Sequence, residues 1–234
     1  MLCYVTDRRS LVAPCPNDAL KILQQRIAAA AAAGVDWIQI REKDLSGREW
    51  GSLTRETVRI VSSFLPGAAA KAPVSSKTSA AGEHVSTRIL VNDRLDVALA
   101  AQAGGMHLGG TSLPPAEARR LVKALRREED FLIGVSCHSL EAAKGAERGG
   151  ADYLFFGPVF ATPSKTHYGP AQGLKRLAEV CCAVAPPVLA IGGITLEKAA
   201  DCLSAGASGI AAIRLFQDAP DVGAVVRALR KLSV

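Results

Sequence analysis

A single barrel of eight parallel strands wrapped by helices, the (β/α)8 or TIM barrel, is the fold this sequence predicts, on three observations. Short apolar runs alternate with helical patterns from one end of the chain to the other. The runs are continuously apolar, which means burial on both faces of a parallel sheet joined by right-handed crossovers. Eight such pairs fit within 234 residues, close to the usual size of roughly 250 for this barrel. A doubly wound open sheet is the competing layout. No change of composition marks a second domain, so residues 1–234 read as one (β/α)8 barrel domain.

The strand-like runs, in order, are Leu2–Val5, Trp37–Ile40, Ile89–Val91, Met106–Leu108, Phe131–Val135, Tyr153–Phe156, Val188–Ile191 and Ser208–Ile213. Each is too short for a helix and is bounded by Gly, Pro, Asp or Asn. After each comes a stretch with apolar residues three and four apart, such as Leu20, Leu23 and Ile27, or Leu121 and Leu125. One segment breaks the rhythm. Residues 66–88 are rich in Ala, Ser, Gly and Lys and read as a flexible insertion on the face away from the functional end.

An apolar content of 49% excludes disorder as a description of the whole chain. No stretch reaches the roughly 18 uninterrupted apolar residues that a membrane-spanning helix needs. The start, MLCYVTDRRS, lacks a basic segment leading into an apolar one, so a cytoplasmic location is expected. The six cysteines read as free thiols, and neither C-x-x-C pairs nor suitably spaced histidines suggest zinc. The formal net charge of +6 is matched by few aromatics, and its basic runs sit on amphipathic helical patterns. Small phosphorylated substrates are therefore the expected partners rather than nucleic acid or membrane, and a homo-oligomer is left open.

Catalytic groups of such a barrel gather at the C-terminal ends of its strands. Gln39, Arg41 and Lys43 fall on one side by the two-residue strand period, and two neighbouring cations there suit a diphosphate. The alternative is a strand end turning into solvent with Glu42 pairing one of the cations. Asn92 and Asp93 end the third run, either as a helix cap or, for Asp93, as a ligand of Mg²⁺ bridging to phosphate. The loop after the sixth run offers Thr162, Ser164 and Lys165, a composition that grips phosphate. Gly192 and Gly193, with Thr195 opening a helix and Gly209 in the last run, fit a phosphate site at strands seven and eight as well as tight turns. His138, two residues after Ser136, is placed either to shuttle a proton or to pack. His107 and His167 read as packing or loop residues, and Cys137 lacks a base on its own face.

Taken together, YVTDR, GVDWIQIREKD, VNDRLDVALAAQAGGMHLG, IGVSCHSLEAA, GADYLFFGPVFATPSK, LAIGGIT and AGASGIAAI resemble the thiamine phosphate synthase and thiazole tautomerase family. The resemblance implies a transferase that joins hydroxymethylpyrimidine diphosphate to thiazole phosphate, releasing diphosphate. It implies Gln39, Arg41, Lys43, Asn92, Ser136 and Lys165 around the pyrimidine diphosphate and Asp93 on one Mg²⁺. It also implies Thr162, Ser164, Gly192 and Gly193 around the thiazole phosphate. Two departures stand out. Ser112 occupies the position of a second metal-binding Asp, so that Asp93 acts with waters and diphosphate, Asp96 or Asp7 substitutes, or the synthase reaction is lost. Arg214 stands where a small hydroxyl residue is usual beside the thiazole phosphate, able either to clamp that phosphate or to fill its space. The alternatives are a metal-independent thiazole tautomerase, with His138 as acid and base, and a binding protein without catalysis.

Overall fold

The computed structural model describes residues 1–12, 15–64, 87–127, 129–162 and 170–232. Eight parallel strands close into a barrel in chain order, each pairing with the next and β8 returning to β1. They are β1 Leu2–Val5, β2 Trp37–Ile40, β3 Arg88–Asn92, β4 Gly105–Leu108, β5 Leu132–Cys137, β6 Tyr153–Phe156, β7 Val188–Ile191 and β8 Gly209–Ala212. The helices between and after them are α1 Pro16–Ala32, α2 Gly47–Ser62, α3 Leu95–Ala100, α4 Pro115–Ala124, α5 Leu140–Arg148, α6 Gly173–Ala183, α7 Leu196–Ser204, α8 Arg214–Gln217 and α9 Val222–Lys231. A 3₁₀ turn at Arg8–Ser10 follows β1.

The predicted fold is therefore the observed one, and the predicted runs all fall on strands, with ends moved by a residue or two. Of the predicted insertion, residues 66–86 lie outside the described residues, and Arg88 already belongs to β3. No described helix is long and apolar enough to cross a membrane. All six cysteines are free.

Two apolar layers result from the two faces of the strands. The outer layer joins strands to helices through residues such as Ile38, Val91, Met106, Ile133 and Leu154, with Leu23 and Ile27 of α1 among its members. The inner layer fills the lumen with Cys3, Val5, Leu90, Tyr153, Phe155, Leu189 and Ala211. One expected packing face is corrected. Leu121 and Leu125 are 43% and 56% exposed, and α4 packs instead through Ala118 and Val122.

Helix starts follow from local chemistry. Ser46 caps α2 and Glu49 reaches back to it in a capping box, so the chain leaves the end of β2 by a defined turn. Ser139 caps α5 by accepting from Ala142 N at 3.1 Å, directly after the β5 segment that carries Ser136 and His138.

Candidate active site

The strand register brings a row of polar side chains into the lumen near the C-terminal ends of β2 to β5. Gln39 pairs with Leu90, Asn92 with His107, His107 with Gly134, and Ser136 with Phe155. Since side chains alternate along a strand, Gln39, Asn92, His107 and Ser136 share the inward face with Leu90 and Phe155. Gln39, Asn92 and His107 are buried, while Ser136 is half-buried.

These groups are hydrogen-bonded in sequence around the rim. Gln39 Nε2 donates to Asn92 Oδ1 at 2.8 Å, and Asn92 Nδ2 donates to Asp93 Oδ2 at 2.6 Å. Gln39 Oε1 is buried with no hydrogen-bond partner among the described residues, an acceptor left available to a bound group. Asp93 sits at φ 60°, a left-handed conformation that Asp tolerates better than most residues. Arg94 N donates back to Asn92 O at 2.7 Å, closing a three-residue turn. The predicted cap role of Asn92 or Asp93 is not found, because Arg94 is the N-cap of α3.

Asp93 Oδ1 accepts from Ser112 Oγ and from Gly109 N, the latter at 3.2 Å, and Gly109 N also donates to Ser112 Oγ at 2.6 Å. Ser112 thus lies directly against the carboxylate. Asp96 is engaged elsewhere, with its exposed carboxylate paired to Arg94. Asp7 heads the turn after β1, its backbone held by Gln217. Among the described residues no group of three or more His, Cys, Asp or Glu is placed to hold a metal ion. One carboxylate and one hydroxyl nevertheless form a hard-oxygen donor set, which fits Mg²⁺ when substrate phosphates and waters complete the shell.

Beyond β2, the two-residue period does not continue. The strand ends at Ile40, so Gln39 is the lumen residue of β2, and Arg41, half-buried, and Lys43, exposed, follow it in the turn beyond the strand. Glu42, between the cations, is buried and pairs with neither of them. Thr6 Oγ1 donates to it at 2.7 Å, Arg8 N at 3.1 and 3.2 Å, and Arg8 Nη1 at 3.2 Å. Arg8 is also held by both oxygens of Asp44, at 2.6 and 2.9 Å. Arg41 N donates to Thr6 Oγ1 at 3.0 Å. Burial pushes the Glu42 carboxyl above its ordinary range, against the hydrogen bonds from Thr6 and Arg8. The pairing with Arg8 locks the β1 and β2 ends together.

Gln217 does the same for β8 and β1. Its Oε1 accepts from Tyr4 Oη at 3.1 Å and Asp7 N at 3.2 Å, while Nε2 donates to Asp7 O at 2.7 Å and Ser10 Oγ at 2.6 Å. Neither Glu42 nor Gln217 was singled out from sequence as a buried anchor.

His138 follows β5, half-buried, with Nδ1 against Gly157 O. A carbonyl only accepts, so Nδ1 carries a proton and donates it to Gly157 O. Cys137 faces the outer layer, where burial pushes its thiol up to about 12, ruling it out as a nucleophile at neutral pH.

At the opposite side of the rim, Gly192 and Gly193 have φ of 96° and 65°. A Cβ on Gly192 would lie 2.6 Å from Pro158 Cα, and one on Gly193 2.6 Å from Ala161 O. The glycines thus let the loop after β6 run against the end of β7, with Phe160 N donating to Gly192 O at 3.0 Å. Thr195 is the N-cap of α7, as expected. Thr162 is half-buried on that loop, whereas Ser164, Lys165 and His167 lie outside the described residues. Arg214 is exposed at the start of α8. Gly209 is corrected: it opens β8 at the opposite end of the barrel, where a Cβ would meet Met1 O at 2.0 Å.

A family model described as thiamine monophosphate synthase matches residues 67–216. A thiamine-phosphate synthase of Methanoculleus marisnigri is 43% identical over 201 residues, covering 86% of this chain and 83% of that protein. A putative thiamine-phosphate synthase of Geobacter sulfurreducens is 39% identical over 231 residues, 99% of this chain and 93% of that protein. The structure of thiamine phosphate pyrophosphorylase from Pyrococcus furiosus has a TM-score of 0.76 at 31% identity, covering 99% of this chain and 94% of that one. Agreement over well over half of the sequence and nearly the whole fold means that the chain belongs to the thiamine monophosphate synthase family.

Proposed function

We propose that this protein is a thiamine phosphate synthase, a transferase that couples hydroxymethylpyrimidine diphosphate to thiazole phosphate and releases diphosphate in thiamine biosynthesis. The observation that carries this reading is the row Gln39, Asn92, His107 and Ser136 on the inward faces of β2 to β5, with Asp93 and Ser112 in contact beside it. An amide acceptor, a hydroxyl and a carboxylate on successive strands suit a polar heterocycle linked to a metal-bound diphosphate.

In this reading Gln39 and Asn92 orient the aminopyrimidine, with Ser136, Arg41, Lys43 and Lys165 on the diphosphate. Asp93, assisted by Ser112, would hold one Mg²⁺. The chemistry supplied by the ion, when bound, is neutralisation of charge on the departing diphosphate. The C–O bond to diphosphate breaks, the electron-rich pyrimidine stabilises the carbocation left behind, and the thiazole nitrogen donates its electron pair to that carbon. The protein stabilises the leaving group and excludes water, so no enzymic nucleophile is required. Thr162, Ser164, Gly192 and Gly193 position the thiazole phosphate, and Arg214 adds a guanidinium beside it. A cytoplasmic location accords with substrates of this kind.

The test is a two-substrate assay with and without Mg²⁺. Thiamine phosphate and diphosphate are expected in equal amounts, only with the metal. No product at any metal concentration overturns the reading.

A further inference from the structure

We propose that His107 is a positioning residue that, from beneath the site, holds Ser136 with its hydroxyl hydrogen directed at substrate. The inference deepens the synthase reading and rests on its placement of Ser136. His107 and Tyr153 are 2% and 0% exposed, against a half-buried Ser136. His107 Nδ1 lies 3.1 Å from Tyr153 Oη, and Nε2 lies 2.8 Å from Ser136 Oγ. The imidazole packs on Phe155 with ring centroids 4.2 Å apart, which fixes its plane. Tyr153 reaches His107 because residue 134, the register partner of both, is glycine. A Cβ there would lie 1.9 Å from the phenol Cζ.

The direction of each hydrogen bond follows from the buried end. A phenol shut away from water is held protonated, and its hydrogen needs an acceptor. Among the described residues, Nδ1 is the acceptor in reach. A neutral imidazole that accepts at Nδ1 carries its hydrogen on Nε2, so Nε2–H donates to Ser136 Oγ. Ser136 then accepts from below and has its own hydrogen left for a group above. Reversing the order would strand the phenol hydrogen and turn Ser136 away from substrate. The imidazole touches no substrate in this arrangement and acts through Ser136.

Two measurements test this. Ring ¹⁵N NMR of the substrate-free protein, with His107 assigned by its loss in His107→Gln, is expected to show the Nε2–H tautomer. The Nδ1–H tautomer overturns the proposal, whatever the activity. Kinetics then compare Ser136→Ala, His107→Leu, His107→Gln and Ser136→Ala/His107→Leu. Loss of one directed hydrogen bond predicts a drop of roughly tenfold in kcat/KM for Ser136→Ala and His107→Leu. The double variant should be no worse than Ser136→Ala, and His107→Gln, whose amide can donate to Ser136, should recover most of the loss. Losses that multiply, or a Gln variant as poor as Leu, overturn it. A silent Ser136→Ala also overturns it, while product formation by the wild type leaves the synthase reading standing. Absence of product from the wild type instead removes that reading, and the NMR result still decides the tautomer.

Discussion

Gly134→Ala is the smallest change that probes the lumen. The added methyl would lie 1.9 Å from Tyr153 Cζ and 2.3 Å from its oxygen, so the phenol must move. It has little room, because its ring packs at 4.5 Å from Trp37 and 5.4 Å from Phe155. Overpacking of this kind costs about 1–3 kcal/mol. Displacing the phenol from His107 Nδ1 leaves a buried donor unsatisfied, a further cost of about 1–3 kcal/mol. The sum, about 2–6 kcal/mol, is measured by urea denaturation from the shift in midpoint at constant slope. Tyr153→Leu removes all three clashing atoms, Cζ, Oη and Cε1, so Gly134→Ala should cost far less in that background than in the wild type. A loss below about 0.5 kcal/mol, or equal costs in both backgrounds, would refute the packing described for the lumen.

Further outcomes follow from the same structure. Because burial raises the Glu42 carboxyl above its ordinary 4.5, its contribution to stability is full below that value and declines as pH rises through the folded-state value. Glu42→Gln should remove that decline, seen as a flatter denaturation midpoint between acid and neutral pH; an unchanged profile argues against it. Ser112→Asp places a second carboxylate against Asp93 and should lower the Mg²⁺ concentration giving half-maximal rate. No change would show that Ser112 is not near the metal. Cys137, with its thiol pushed up to about 12, should resist alkylation in the native protein at pH 8 while exposed Cys15 and Cys182 react. Rapid labelling of Cys137 located by peptide mass would contradict its burial.

Much of the barrel was legible because parallel strands buried on both faces leave unbroken apolar runs, and the strand tips follow each run. Gln39, Asn92, Asp93, Ser136 and His138 stood out in this way, as polar residues at or just beyond such runs. What escaped depends on partners remote in sequence. Gln217 accepts a hydrogen bond from Tyr4, 213 residues away in the chain. Glu42 looked like a partner for its neighbouring cations, yet it turns inward to Thr6 and Arg8 once β2 ends. His107 was expected to pack, and its ring does so against Phe155, but its two nitrogens acquire meaning only when β5 and β6 are placed beside β4. The α4 face was misjudged because spacing favoured the larger Leu121 and Leu125, whereas the face turned to the core carries Ala118 and Val122.

The most direct measurement is a crystal structure with hydroxymethylpyrimidine diphosphate and Mg²⁺. The pyrimidine is predicted within hydrogen-bond distance of Gln39 and the diphosphate beside Asp93 and Ser136, at the C-terminal ends of β2 to β5. A ligand seated at the other end of the barrel, or one leaving Gln39, Asp93 and Ser136 uncontacted, would contradict it.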